Sequence, residues 1–159
     1  MTPASRPSDA LSPRRRHVRR GILLGGLALS GLGAAHWFNI GGSIEGSALS
    51  VQDAHAAASA GTLTLIDIRR PDEWRTTGIG EGAIPLDMRD PAFEEKLLAL
   101  VAGVQAPVAL ICARGVRSRH LASRLEGAGF TNIIDVPEGM FGSGAGPGWI
   151  AAGLPLIHA

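Results

Sequence analysis

The sequence predicts an α/β domain with a mainly parallel central sheet and helices on both faces. Short apolar runs alternate with helical patterns through residues 49–158, and such alternation is typical of parallel sheets that are covered on both sides. The run Val108–Ile111 is wholly apolar, as expected for a strand buried on both faces. At 159 residues, the chain has room for one core of this kind.

The first half of this domain carries signals for a helix, a strand and a second helix. Ser50 is suited to cap a helix that extends through Ala60. Residues 63–68 are mainly apolar and predict a buried strand. Pro71 fits the first position of the next helix, and Glu73 lies near the positive end of that helix.

The second half predicts two more helices and two more strands. One helix begins at residues 90–91, and its spacing is expected to bury Phe93, Leu97, Leu100 and Val101. After the strand at 108–111, another helix begins near Ser118 and ends within residues 127–129. That helix is expected to bury Leu121, Leu125 and Ala128. Ile133–Val136 then predicts a further strand.

The N-terminal 20 residues differ in charge from the rest of the chain. They contain six arginines and one acidic residue, whereas residues 21–159 contain nine Lys and Arg against thirteen Asp and Glu. A mildly acidic domain is a poor match for nucleic acid, so no nucleic-acid partner is expected. Residues 1–20 are predicted to be a basic polar tail.

An uncharged run follows the arginines directly and covers residues 21–40. This order is that of an export signal, and a run of about 20 residues also just suffices to cross a bilayer. Three outcomes stay open: twin-arginine export through Arg19 and Arg20, Sec export, or retention in the inner membrane as an anchor. Each predicts the folded domain on the periplasmic side of the bacterial inner membrane. Residues 41–48 are predicted to be a linker and residues 49–158 the folded domain.

Cys112 is the only cysteine, and it directly follows the strand Val108–Ile111. Gly115 and two arginines, Arg114 and Arg117, occur within the next five positions. Loop N–H groups, a helix N-terminus and nearby cations stabilise a thiolate, whereas a cysteine that only fills a core needs none of them. The pattern therefore predicts a reactive thiolate that can also hold an anion, at the carboxyl end of a strand where α/β proteins bind ligands.

The run C-A-R-G-V-R-S at residues 112–118 resembles the C-x-x-G-x-R-S active-site loop of single-domain rhodaneses. These sulfurtransferases carry sulfur as a cysteine persulfide. The family's other strand, helix and turn signatures are resembled by residues 63–74, 78–85, 129–133 and 148–155. The resemblance extends in register over about residues 49–157.

The resemblance implies a rhodanese-like fold and a sulfurtransferase of the thiosulfate:cyanide type, with Cys112 as the nucleophile. It implies a small-molecule sulfur donor, a thiol or cyanide acceptor, and neither a metal nor an organic cofactor. Donor binding is expected at Arg117 and the rest of the loop, namely Ala113, Arg114, Gly115, Val116 and Ser118. Asp67 and Arg69 are expected to support the site, Asp67 by accepting loop N–H bonds and Arg69 by pairing with Glu73.

The sequence departs from the family pattern in two places. Residues 78–80 lack a histidine that is common in the family. The glycine-rich run 139–148 is longer than usual and is expected to form a mobile rim.

Two alternative functions stay open. The first is a phosphatase. Phosphatases of this fold use C-x5-R, whereas four residues separate Cys112 from Arg117, which favours a sulfurtransferase. The second alternative is a non-catalytic sulfur carrier or thiol-redox module with an envelope protein partner. With one cysteine, a redox role needs a partner thiol.

Overall fold

A four-stranded parallel sheet forms the centre of the computed structural model, which describes residues 48–158. The strands, in chain order, are β1 (Thr64–Asp67), β2 (Ile79–Gly80), β3 (Ala83–Pro85), β4 (Val108–Ile111), β5 (Ile133–Val136) and β6 (Leu156–Ile157). The sheet has the order β3-β1-β4-β5 with parallel neighbours, while β2 and β6 form an antiparallel pair. The predicted mainly parallel sheet is confirmed.

Helices cover both faces of the sheet, as predicted. In chain order they are α1 (Val51–Ser59), α2 (Pro71–Thr77), α3 (Phe93–Leu100), α4 (Val116–Gly127) and α5 (Gly148–Ala151). On one face, α3 and α4 pack against Leu110 and Cys112 through Phe93, Leu97, Leu121 and Leu125. On the other face, α1 and α5 pack against Ala109 and Ile111, with Trp149 fully buried among them. The central strand β4 is therefore covered on both sides, which explains its wholly apolar sequence.

The starts of the first two helices follow their capping signals. The Ser50 hydroxyl accepts a hydrogen bond from the Asp53 N–H at 3.1 Å and caps α1. Pro71 is the first residue of α2, and a Glu73 carboxylate oxygen accepts a bond from the Arg70 N–H at 3.1 Å. Both contacts satisfy N–H groups that a helix start leaves without an intrahelical partner.

Three helix details differ from the sequence prediction. The backbone at Val101 is extended, so α3 ends at Leu100, which is 43% exposed instead of buried. Ala128 is also exposed, because α4 ends at Gly127 and Phe130 enters the core there instead. Finally, α4 begins two residues before Ser118, since Gly115 adopts a left-handed conformation that allows the helix to start at Val116.

The predicted tail at residues 1–20 and the apolar run at 21–40 lie outside the described residues, as does most of the predicted linker. Ala48, the last residue of that linker, forms a parallel bridge with Asp135 of β5. Between residues 48 and 158, no helix combines the length and the apolar character that crossing a bilayer requires.

Candidate active site

Cys112 lies directly after β4, at the carboxyl end of the central strand. The residue is only 1% exposed, so its sulfur lies at the base of the site rather than on the surface. Its backbone oxygen accepts a hydrogen bond from the Met140 N–H at 2.9 Å. The thiol is thus held between the sheet and the segment that follows β5.

The loop after Cys112 presents a set of free N–H groups. Within the described part of the chain, none of the N–H groups of residues 113–118 donates a hydrogen bond to another residue. Those of residues 116–118 belong to the first turn of α4, which carries the positive end of the helix dipole. Successive unpaired N–H groups at a helix start form a site for an anion. The loop can therefore stabilise a thiolate and the negative charge of a bound group.

Ser118 supplies the hydroxyl nearest to the thiol. Its side chain is completely buried, and its Oγ lies 3.5 Å from the Sγ of Cys112. The same hydroxyl lies 3.1 Å from the backbone oxygen of Gly115, to which it can donate. Because a hydroxyl has a single proton, Ser118 donates either to Gly115 or to a Cys112 thiolate.

Arg117, the predicted donor-binding arginine, forms a bidentate ion pair with Glu73 of α2. The two bonds join Nη1 to Oε2 at 2.8 Å and Nη2 to Oε1 at 2.7 Å. This pairing with Arg117 lowers the pKa of Glu73 from 4.5 to about 2, against the opposing effect of burial. Glu73 is therefore ionised at any working pH, and its contribution to stability is present above pH 4.5 and is lost only as the pH falls through about 2. The pair orients Arg117 and also offsets much of its charge.

Arg114 and Val116 lie on the rim of the loop and are exposed, Val116 by 66%. Ala113 is half-buried between them and Cys112. The predicted loop residues are thus close together in the fold, but they divide into a buried part around Cys112 and Ser118 and a rim.

Asp67 and Arg69 form a fully buried ion pair at the end of β1. Arg69 Nε and Nη2 donate to the two carboxylate oxygens of Asp67 at 2.9 and 2.7 Å, and the Arg69 N–H also donates to Asp67. The remaining donors of Arg69 bind Thr77 Oγ1 and the backbone oxygen of Gly78. The prediction that Arg69 pairs with Glu73 is therefore wrong, because Asp67 is two residues away on the same strand end and Glu73 faces Arg117.

Two glycines allow the segment after β5 to approach the active-site loop. Gly115 has a φ of 77°, and a Cβ there would lie 2.2 Å from the Pro137 backbone oxygen. Gly139 has a φ of 66°, and a Cβ there would lie 2.6 Å from the backbone of Ala113. The backbone of residues 137–139 therefore packs directly on the loop and fixes its shape.

Glu138 anchors the glycine-rich run, a role that the sequence analysis did not assign. Its buried carboxylate accepts from the Val51 N–H at 3.2 Å and from the Gly148 N–H at 3.1 Å. The expected mobile rim is instead tied down at both ends, since the Phe141 N–H also donates to the Ala113 oxygen at 3.0 Å. The acidic residue directly before a glycine-rich run was the only signal of this contact in the sequence.

Residues 50–143 match the family model of the rhodanese-like domain. The chain belongs to the rhodanese-like family. The match includes the loop at 112–118 and the charged residues Asp67, Arg69 and Glu73. No match was found among curated protein sequences.

Solved structures support the rhodanese-like fold. The polysulfide-sulfur transferase homodimer of Wolinella succinogenes has a TM-score of 0.57 and 22% identity, covering 82% of this chain and 92% of that chain. EanB, in a complex with ergothioneine covalently linked with a persulfide, has a TM-score of 0.55 and 16% identity, covering 72% of this chain and 28% of that chain. A Rhodopseudomonas palustris protein described as a possible tyrosine phosphatase has a TM-score of 0.53 and 24% identity, covering 70% of this chain and 85% of that chain. At these identities, the likeness shows the fold alone.

Proposed function

We propose that the protein is a sulfurtransferase that carries sulfur as a persulfide on Cys112. The observation that carries the proposal is the position of Cys112 below a loop whose N–H groups, from residue 113 to 118, have no other partner in the described chain. Such groups stabilise an anion that forms in place. Family membership supports sulfur transfer as the reaction class.

In the first step, the Cys112 thiolate attacks the outer sulfur of thiosulfate or a related donor. A bond forms between Sγ and that sulfur, the sulfur–sulfur bond of the donor breaks, and sulfite leaves with the electron pair. The new S–S bond is about 2.05 Å long. Because Cys112 is nearly enclosed, this bond moves the reactive sulfur outward, toward the rim formed by Arg114 and Val116.

In the second step, an acceptor thiolate or cyanide attacks the outer sulfur of the persulfide. The bond between that sulfur and Sγ breaks, and Cys112 returns as a thiolate. The persulfide is itself an anion, so the N–H groups of the loop stabilise both states. Fixed donors of this kind contribute about 2.7–4 kcal/mol each at comparable oxyanion sites.

Mass spectrometry of the intact protein after exposure to thiosulfate tests the proposal. We expect one added sulfur atom on Cys112, removed again by cyanide with release of thiocyanate. A polysulfide donor serves as a second probe, since thiosulfate is one donor of several in this class. Absence of a Cys112 persulfide with both donors would contradict the proposal.

The Glu73–Arg117 pair is expected to limit the affinity for anionic donors. Glu73→Gln removes a negative charge while keeping a hydrogen-bond acceptor for Arg117, so we expect the KM for thiosulfate to fall by up to about fivefold, the equivalent of ~1 kcal/mol for a partly exposed pair. Steady-state kinetics measure this. Asp72→Asn is the matched control, because Asp72 is an exposed carboxylate of the same helix that pairs with Arg70. An unchanged or higher KM in Glu73→Gln would contradict the expectation.

A phosphatase is the alternative enzyme class for this fold. Four residues separate Cys112 from Arg117, and close contacts from residues 137–139 confine the loop. We therefore expect hydrolysis of aryl phosphates to be far slower than sulfur transfer by the same sample. Rapid turnover of p-nitrophenyl phosphate that disappears in Cys112→Ser would overturn this prediction.

A sulfur carrier without its own turnover is the second candidate. It is favoured by one observation, the engagement of Arg117 with Glu73, which leaves the site less positive than the sequence suggests. A carrier would accept one sulfur per Cys112 and pass it only to a partner thiol protein of the envelope. Multiple turnovers with thiosulfate and cyanide, or with a small thiol as acceptor, would decide for the enzyme.

We further propose that the domain works on the periplasmic side of the bacterial inner membrane, exported or anchored. Support comes from the order of the arginines and the apolar run at 21–40. Moving an Arg across the centre of a membrane costs on the order of 2.5–3.5 kcal/mol, so the arginine block stays behind while the domain crosses.

Replacing Arg19 and Arg20 by lysine is expected to separate the export routes. Twin-arginine export depends on the guanidinium pair, whereas Sec insertion reads mainly positive charge. Cell fractionation after Arg19→Lys with Arg20→Lys therefore shows loss of export for the first route and unchanged export for Sec or an anchor. A full-length soluble protein in the cytoplasm of its host would refute the proposed location.

A further inference from the structure

Two large apolar side chains are exposed at the loop that follows Cys112, and the proposed sulfur transfer does not use them. Val116 belongs to the loop and is 66% exposed. Phe141 is 43% exposed, and its N–H donates to the backbone oxygen of Ala113 at 3.0 Å. Ala113 is the residue directly after Cys112. Phe141 is therefore a neighbour of the loop in space, although 29 positions separate it from the cysteine in the sequence.

The backbone on both sides of Phe141 is firmly held. The preceding residue, Met140, is completely buried, and its N–H donates to the Cys112 oxygen at 2.9 Å. The following residue, Gly142, packs so closely on Gly148 that a Cβ at Gly148 would lie 2.1 Å from the Gly142 nitrogen. The aromatic side chain is thus presented to solvent by a fixed segment. A group that is already held in place loses little freedom when a ligand covers it.

The two arginines of the loop differ in how far their charge is compensated. Arg117 is bound at two points by the carboxylate of Glu73. Arg114 is exposed and forms no ion pair with any residue from 48 to 158. One uncompensated cation suits a donor with a single negative charge better than thiosulfate, which carries two.

The depth of the thiol restricts the shape of a donor. Cys112 is 1% exposed, so only a narrow end, such as a single sulfur atom on a stem, can reach Sγ. The body of the donor stays outside, next to the exposed residues of the loop. Two of these, Val116 and Phe141, offer apolar surface, and burying such surface is favourable.

We propose that the sulfur donor is an organic anion of the thiosulfonate type, in which an apolar body carries the sulfonyl group and the outer sulfur. The body binds on Val116 and Phe141, and the single charge is paired with Arg114. The inference rests on the proposed function, in which Cys112 accepts the sulfur. A bond forms between Sγ and the outer sulfur, the sulfur–sulfur bond of the donor breaks, and a sulfinate leaves with the electron pair. The thiolate charge passes to the persulfide, so the total charge does not change.

The rate of persulfide formation tests the apolar contact in the full-length chain. Intact-mass spectrometry follows the added sulfur with benzenethiosulfonate and with methanethiosulfonate, without an acceptor. The ratio of the two rates is compared between proteins, because the intrinsic reactivities of the donors then cancel. Phe141→Ala is expected to lower the phenyl-to-methyl ratio by about two- to tenfold, the range of an aromatic contact. Val116→Ala is expected to lower the ratio by a smaller factor.

Two charge variants test the preference for a single negative charge. Methanethiosulfonate differs from thiosulfate by a methyl group in place of one oxygen and by one charge. Arg114→Gln is expected to slow both organic donors by a similar factor of up to about fivefold at low salt, and high salt is expected to remove this difference. Glu73→Gln leaves Arg117 uncompensated, so it is expected to favour thiosulfate over methanethiosulfonate relative to wild type.

Leu100→Ala is the matched control for Phe141→Ala. Leu100 is also 43% exposed, but it ends α3, which returns the chain from the carboxyl end of β3 to the start of the parallel strand β4. It therefore lies toward the opposite edge of the sheet from Cys112, and its variant is expected to keep the wild-type ratio. Thermal unfolding checks each variant, and Val116→Ala decides if Phe141→Ala does not fold.

An unchanged phenyl-to-methyl ratio in both Phe141→Ala and Val116→Ala would overturn the inference, as would an equal decrease in Leu100→Ala. An Arg114→Gln protein that reacts as fast as wild type at low salt would overturn the assigned charge contact. In these cases a persulfide still forms, so the proposed function stands. Absence of a persulfide with thiosulfate and with both thiosulfonates would instead count against sulfur transfer itself.

Discussion

Replacing Cys112 by serine is expected to abolish sulfur transfer while leaving the domain folded. A serine hydroxyl is not ionised at neutral pH and forms no persulfide, so the covalent intermediate is lost. In a serine protease, removal of the covalent nucleophile costs on the order of 10⁶ in kcat, and we expect activity to fall to background here. Thiocyanate formation from thiosulfate and cyanide measures the loss.

The fold of the serine variant is checked by circular dichroism and thermal unfolding. Cys112 is buried beside Leu110 and Leu121, and the hydroxyl has Ser118 Oγ within reach, so the substitution leaves no isolated polar group. Retention of most of the activity in a folded Cys112→Ser protein would show that another group performs the chemistry. It would also remove the basis for the persulfide mechanism.

The sequence predicted the sheet because its strands carry strong local signals. The wholly apolar run of β4 indicated a strand covered on both faces. The start of α1 lies at its predicted cap, and α3 lies within a few residues of the position that its apolar spacing predicted. The errors occur at helix ends. Leu100 and Ala128 fit the helical spacing, but the backbone leaves the helix beside them, and spacing carries no information on where that happens.

The charge pairing of the site could not be predicted from the sequence. Arg69 and Glu73 have a spacing that suits a local pair, yet Glu73 binds Arg117, which is 44 residues away. The pairing depends on how α2 and α4 approach each other in the folded chain, which is a tertiary property. Arg69 instead forms an ion pair with Asp67, because both side chains lie at the same strand end and are fully buried from solvent.

The position of Asp135 could not be predicted from the sequence for the same reason. Asp135 is a single acidic residue in the strand Ile133–Val136, and an alternating pattern would place such a residue in solvent. The parallel register with β4 places it on the face that holds Leu110 and Cys112. The sequence points to Cys112 as the proposed nucleophile, whereas the contacts around it depend on the register of neighbouring strands.

Gly115→Ala is expected to cause the largest loss of stability among substitutions in the loop. Gly115 has a left-handed φ of 77°, and a Cβ there would lie 2.2 Å from the backbone oxygen of Pro137. Neither atom belongs to a flexible side chain, so the loop or the segment after β5 must move. Backbone strain and overpacking each cost about 1–3 kcal/mol, which predicts a decrease of about 2–6 kcal/mol in the free energy of unfolding.

The same substitution is expected to reduce sulfur transfer in the molecules that stay folded. The N–H groups of residues 113–118 follow the backbone of Gly115, and a displacement of about 1 Å at a reacting group costs on the order of a hundredfold in rate. Denaturant unfolding and thiocyanate formation, both at low temperature, measure the two effects separately. Gly144→Ala is the matched control: a Cβ at Gly144 has no neighbour within 4 Å, so its stability is expected to stay within about 0.5 kcal/mol of wild type. Equal behaviour of the two variants would show that the contact between Pro137 and Gly115 does not hold the loop in shape, and the N–H groups would then need another support.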